Sequence, residues 1–294
     1  GKFVNRLSYL GNGPREYLNI NHVFKVTNSI IAIQDRIKDV VLYFDDKGTF
    51  LYQTKGLQYG CDIECIGCNR IAVDVRSVGG INNPKTEDYA FVVSDSLYQK
   101  VYAVGTDTYS EKLNYGSTKR LFRYNDIVYG IPNFENYVYQ FDSEGVCVKY
   151  VLDIISDDVS DFRYSTREEL KQLEQRYPFF KGHFYEFDNY SCFVIKSASF
   201  NAYILYNHQT KDVYLLDSEY ANPLITFFWN PYKVDAGNAI VTSSLPATLL
   251  SYKEQFYDGV SVEIRKDLDL LYNDMKVDDN PVLFFYHLKD KIAE

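Results

Sequence analysis

Three cysteines stand close together in Cys61-Asp62-Ile63-Glu64-Cys65-Ile66-Gly67-Cys68, a spacing at which metal or redox chemistry could be built. A structural zinc site takes four nitrogen or sulfur ligands, commonly from paired Cys-x2-Cys units. Here a fourth cysteine and a nearby histidine are both missing. Read as an extended strand, the segment puts Cys61 and Cys65 on one face and leaves Cys68 by the Gly67 turn. Buried thiols acting as small hydrophobes are the expectation. Cys147 and Cys192 bring the count to five, so at least one thiol lacks an intrachain partner. No metal and no cofactor is assigned.

Carboxylates are the second source of chemistry. Asp35, Asp74, Asp95 and Asp142 each follow an apolar run, and a ring of sheets could converge such side chains on Ca²⁺, as in a metal-dependent hydrolase or lactonase. The competing reading is that acidic residues at hairpins form turns. Paired carboxylates of a sugar-active enzyme need a set separation, which linear spacing does not give. The four histidines, His22, His183, His208 and His287, lie far apart, and no nucleophile or orienting acid can be nominated for them. The chain has no G-x-S-x-G, H-E-x-x-H, P-loop or dinucleotide fingerprint. No catalytic residue is nominated.

Binding residues are easier to name. Gly11-Asn12-Gly13-Pro14-Arg15-Glu16-Tyr17 fixes a turn that presents Arg15, Glu16 and Tyr17, although a structural corner with Glu16 accepting backbone N–H groups is the plainer reading. Arg36 follows an apolar run. Asp74 and Arg76 share one face of Ile71-Ala72-Val73-Asp74-Val75-Arg76, where they could form a polar pair facing a channel or simply neutralise each other. Trp229, the single tryptophan, ends a strand-like run and could stack on a sugar or pack in the core.

Charge excludes some partners. Lys and Arg number 31 against 40 Asp and Glu, a net charge of −9 with no long basic run, so nucleic acid and anionic membranes are not expected ligands. Nothing approaches the ~18 apolar residues of a membrane span. The chain starts at Gly1 without an initiator Met or a signal-peptide core, which reads as a processed or trimmed product.

The elements that must hold these residues repeat. Ser29 to Gly60 contains three apolar runs punctuated by Asp35-Arg36 and Asp45-Asp46-Lys47-Gly48, which reads as three strands and two turns. Phe44-Asp45-Asp46-Lys47-Gly48 returns 97 positions later as Phe141-Asp142-Ser143-Glu144-Gly145, with Val92-Val93-Ser94-Asp95-Ser96 halfway between. A further hairpin, Ala202 to Lys211, follows 65 residues on. The 28 Tyr and 20 Phe favour strands. A period near 48 with about four strands per unit predicts a β-propeller of antiparallel four-stranded blades. The expected blades lie near 20–58, 61–105, 118–155, 183–217 and 223–290, the last completed by a strand from 1–10, within one domain over 1–294. Five blades are thus encoded, and a sixth would lie upstream of Gly1. Helical insertions are expected near 165–177, after the Ser165-Thr166-Arg167-Glu168 capping box, and near 245–275.

Two terminal motifs and the repeated hairpins resemble bacterial six-bladed β-propeller proteins of unknown function, relatives of the NHL-type and TolB-like propellers. Gly11, Gly13, Pro14, Glu16 and Tyr17 match the family's G-x-G-P-G-E-Y, with Arg15 where the family has glycine. Asp279-Asn280-Pro281-Val282-Leu283 and Leu288-Lys289 match its ending. The resemblance implies an exported protein, in the periplasm or anchored to the outer membrane as a lipoprotein, and carries over no catalytic residue. The combined expectation is a monomeric, non-catalytic binding or scaffold propeller that recognises a peptide, glycan or protein at its channel face.

Overall fold

The computed structural model of the chain describes residues 7–55, 62–67, 70–75, 89–95, 100–106, 120–132, 136–153, 179–196, 201–217, 231–233, 239–257 and 262–287, with Glu168, Gln172 and Gln175 as isolated helical positions. The rest of the expected 165–177 helix lies outside the described residues. Strands dominate, and they run as successive antiparallel sheets in a propeller-like all-β fold. The first sheet is β1 (His22–Thr27), β2 (Ile30–Asp35), β3 (Val40–Asp45) and β4 (Phe50–Lys55), side by side in chain order. The second is β5 (Asp62–Ile66), β6 (Arg70–Asp74), β7 (Tyr89–Asp95) and β8 (Lys100–Thr106), and the third is β9 (Leu121–Tyr124), β10 (Ile127–Gly130), β11 (Tyr137–Phe141) and β12 (Val146–Val151). The fourth is β13 (Phe179–Glu186), β14 (Tyr190–Lys196), β15 (Asn201–Asn207) and β16 (Val213–Asp217). The fifth has three strands among the described residues, β17 (Pro231–Lys233), β18 (Ala239–Ser244) and β19 (Val282–His287).

By compactness the chain divides into two units, Gly1–Phe184 with Val194–Ser199, and Tyr185–Phe193 with Phe200–Glu294. In the first unit the opening strands are neighbours, β1 beside β5 and β5 beside β9. Burial follows from that placement. Every residue of β5 is buried, whereas β4 and β12, at the far edges of their sheets, are largely exposed. The two-residue strand period sends Ile63 and Cys65 to one side of β5, where they pack with Phe24, Ala32, Val41, Val73 and Val92. Ile66 goes to the other, with Ala72, Phe91, Leu121, Val128 and Phe141. The second sheet is therefore covered on both faces, which is why β6 and β7 read as continuous apolar runs and not as an alternation.

The outer face of the first sheet is covered differently. Ile33, Leu42 and Phe44 are sealed by Tyr17, with Leu7, Tyr9 and Phe50 packed at the margin, and the Tyr9 ring stacks on Phe44 at 5.6 Å. The segment before β1 thus acts as a lid on a face that would otherwise lose its burial.

The repeated hairpins owe their form to one local device. A side-chain oxygen at the end of the third strand accepts two backbone N–H groups of the turn that follows. Asp45 Oδ1 takes Lys47 and Thr49 at 3.0 and 2.6 Å, Asp142 Oδ1 takes Glu144 and Gly145 at 2.9 and 3.1 Å, and Asn207 Oδ1 takes Gln209 and Thr210 at 2.9 and 3.1 Å. Gly48 completes the first of these turns at φ 82°, in the left-handed region.

In the second unit the expected 245–275 insertion is a helix pair. Pro246 at the first turn starts α1 (Pro246–Phe256), and α2 (Val262–Tyr272) follows. Leu249, Leu268 and Tyr272 bury themselves together against Val282 and Phe284 of β19. The alternate residues of that strand, Leu283 and Phe285, stay exposed.

Candidate functional site

The Gly-Pro segment folds as a corner locked by its own polar groups. Gly13 N–H donates to Glu16 Oε2 at 2.7 Å, Gly11 N–H to the Tyr17 carbonyl at 3.0 Å, and Tyr17 N–H to the Tyr9 carbonyl at 2.8 Å. A methyl group on Gly11 would sit 2.2 Å from Glu16 Oε2, so the carboxylate occupies the space that the missing side chain leaves. Lys38 Nζ donates to the Gly13 and Glu16 carbonyls at 2.5 and 2.7 Å, tying the corner to the β2–β3 turn. Of the nominated binding residues, Glu16 is turned into the corner, Tyr17 is buried, and Arg15 is exposed with its guanidinium 5.6 Å from the Phe50 ring.

Asp35 anchors the same place from below. It is fully buried and accepts the N–H groups of Leu18 (2.6 Å), Asn19 (3.4 Å), Ile37 (2.9 Å) and Lys38 (3.1 Å). Arg36 N–H donates to Asn21 Oδ1 at 2.9 Å. Leu18 and Ile37 are therefore held on the two oxygens of one carboxylate, with their side chains 38% and 66% exposed, and Leu10, bridged to Tyr17, is 73% exposed.

Asp74 is also committed. It is fully buried and receives a two-pronged guanidinium: Arg120 Nε donates to Oδ2 at 2.9 Å and a terminal N–H of Arg120 bonds Oδ1. Asp62, opposite Asp74 in the β5–β6 ladder, accepts Leu121 N–H at 3.0 Å and faces His22 Nε2 at 3.0 Å. Arg123 Nε reaches Glu64 Oε2 at 3.2 Å. The charges thus stitch the first strands of three neighbouring sheets. Sequence reading missed Arg120, Arg123 and Asp62. The available signal was that His22 and Asp62 open the first strands of their sheets and Arg120 stands just before β9. Arg76 and Trp229 lie outside the described residues, as do Cys61 and Cys68.

Of the three clustered thiols only Cys65 is described, and it is buried as the sequence reading expected. Burial pushes Cys65 up to about 11 and Cys192 up to about 12, so both stay protonated and unreactive, while Cys147 is exposed. Asp142 belongs to its turn. The Gln140 amide beside it, helped by the Glu144 and Gly145 N–H groups, holds its carboxyl below the ordinary value. A carboxyl whose folded value is depressed stabilises fully above its unfolded value of about 4 and loses that contribution as pH falls through the folded value. Asp142→Asn is therefore expected to flatten the acid limb of the stability curve below about pH 4. Denaturant midpoints taken along a pH series would show it, and an unchanged limb would contradict it.

A chemistry-bearing cluster that the sequence did not reveal lies in the second unit. Ser191 Oγ is 2.7 Å from His208 Nε2, and His208 Nδ1 is 3.0 Å from the Asp188 carbonyl, the order of nucleophile, base and orienting group. Ser191 is fully buried, however, and also lies 2.5 Å from Glu186 Oε2, so its hydroxyl is enclosed and shared and does not face a substrate.

The family model described as Domain of unknown function (DUF4934) matches residues 1–287. No curated protein matches the chain. Among solved structures, a Bacteroides fragilis protein described as “Putative exported protein” superposes with a TM-score of 0.76 at 17% identity, over 98% of this chain and 82% of that one. A member of the DUF4221 family from Bacteroides vulgatus gives 0.52 at 7% identity, over 81% and 76%. At these identities the likeness is one of fold. No helix among the described residues is long and apolar enough to cross a membrane.

Proposed function

Because the chain belongs to the family of the domain of unknown function DUF4934, we propose its role from its own residues: a non-catalytic binding or scaffold module of the bacterial cell envelope that recognises a peptide, glycan or protein. The observation that carries this reading is the surface built on Asp35. Leu18 and Ile37 are large apolar side chains held outward by backbone N–H bonds to one buried carboxylate, with Leu10 exposed beside Tyr17. Exposed apolar groups that gather in one place are a mark of interaction sites. Arg15 and Arg36 make no ion pair among the described residues and supply cations to the same part of the chain. Three of the four carboxylates that a calcium-dependent enzyme could use are otherwise engaged: Asp35 caps backbone, Asp74 holds Arg120, and Asp142 forms its turn, while the Asp95 side chain lies outside the described residues. Export is supported by the description of the Bacteroides fragilis neighbour and by the family resemblance.

The test is contact mapping. A photo-reactive residue in place of Ile37 is expected to capture one recurrent species from envelope fractions of the encoding organism, and Leu18→Asp is expected to abolish the capture without unfolding the protein. The same probe at Leu270, which is 81% exposed on α2, serves as the control. No recurrent species at Ile37, or the same species at both positions, would overturn the proposal.

A further inference from the structure

We infer that Glu186, Ser191 and His208 form a proton-linked clamp, one that fastens the β15–β16 hairpin to the β13–β14 turn and is complete only with a proton beyond those of a carboxylate, a hydroxyl and a neutral imidazole. The argument is a count of protons against contacts. Three close contacts link the groups: Glu186 Oε2 to Ser191 Oγ at 2.5 Å, Ser191 Oγ to His208 Nε2 at 2.7 Å, and His208 Nδ1 to the Asp188 carbonyl at 3.0 Å. A backbone carbonyl only accepts, so Nδ1 carries a hydrogen. Ser191 brings one more, and an ionised Glu186 brings none. Two protons cannot serve three contacts. With a third on Nε2 every contact is a hydrogen bond: the imidazolium donates to Asp188 and to Ser191, and Ser191 donates to Glu186. The added charge then faces its counter-ion, Glu186 Oε1, at 3.7 Å from Nε2. Without that proton, two acceptors meet lone pair to lone pair in a place where Ser191 is fully buried and the Glu186 side chain is 7% exposed.

The cluster is placed to act on the hairpin. His208 N–H donates to the Asn189 carbonyl at 2.9 Å, and Gln209 Nε2 reaches Asn189 Oδ1 at 3.4 Å, so the same turn and hairpin are joined on both sides of the imidazole. Among the described residues, the ionisable groups around it include Asp188 in the turn, Lys211, whose Nζ donates to the His208 carbonyl at 2.6 Å, Asp212 in the hairpin, and the Tyr206 ring at 6.0 Å. The His208 side chain is 23% exposed, which gives solvent protons a way in. Since the clamped form holds the extra proton, the clamp tightens as pH falls and loosens as pH rises through the cluster's titration.

Imidazole ¹⁵N NMR on the full chain, between about pH 5 and pH 8, reads the claim directly. Both His208 nitrogens are expected to be protonated at the acid end, with Nε2 the one that loses its proton. Opening of the hairpin, measured as hydrogen exchange at the His208 amide after correction for intrinsic base catalysis, is expected to rise by up to about tenfold per pH unit beyond that step. His208→Gln should remove the dependence, as should Ser191→Ala if that buried variant folds. A neutral Nε2–H tautomer throughout, hairpin exchange indifferent to the titration, or an undiminished dependence in His208→Gln would each overturn the clamp.

Discussion

Replacing Arg120 with methionine is expected to cost about 3–5 kcal/mol of stability, because it removes one partner of a buried ion pair. Arg120 and Asp74 are both fully buried, and they meet through a two-pronged, charge-assisted guanidinium fork. Methionine roughly replaces the aliphatic stem and leaves the packing near Phe91, 5.4 Å from the guanidinium carbon, partly intact. What it cannot replace is the counter-charge, so the loss reports a carboxylate stranded in a low-dielectric place. The double variant Arg120→Met with Asp74→Leu separates that penalty from the net worth of the pair. It is expected to recover most of the loss, to within about 1–2 kcal/mol of the parent, because two apolar side chains strand nothing. Denaturant midpoints of the four proteins in the cycle provide the check. A double variant no more stable than the single one would mean that the pair itself, and not its broken half, holds the second and third sheets together.

How far the sequence showed this depends on how local each feature is. The hairpins were legible because an Asp or Asn and the N–H groups it accepts lie two to four residues apart, so Asp45, Asp142 and Asn207 announce their turns within a few positions. The Gly-Pro corner was legible for the same reason, and its expected form, with Glu16 over the glycines, is the one observed. Pro246 likewise marked its helix. The Asp74 pair was not legible, since its partner is 46 residues away and meets it only when two sheets stack. Arg76, two positions away in the sequence, was the natural guess for that partner. Nor did the spacing of Ser191 and His208 show their contact, because it exists only after β14 and β15 lie side by side. Side chains whose partners are set by register belong to the sheet, and a single sequence does not print its register.

Asp35→Ala tests the surface on which the functional proposal stands, and it is expected to cost about 3–5 kcal/mol. Its four N–H partners, those of Leu18, Asn19, Ile37 and Lys38, come from two segments separated by the whole of β1 and β2. Hydrogen bonds to a charged acceptor are worth about 1.5–3 kcal/mol each, and truncation leaves donors without that acceptor beneath a packed sheet. The loss stays below the sum because the outer donors, on exposed residues, can turn to water. Asp35→Asn keeps one acceptor oxygen in place and is expected to lose about half as much. Stability alone would not distinguish this site from any other buried cap. The distinguishing readout is hydrogen exchange: Leu18 and Ile37 amides should lose protection together in Asp35→Ala, while the Asp142 turn in the third sheet keeps its own. If the two amides respond separately, the carboxylate does not hold the corner and the β2–β3 turn as one piece. The apolar side chains of Leu18 and Ile37 would then be independent loop residues, and the surface proposed for partner recognition would have no rigid base.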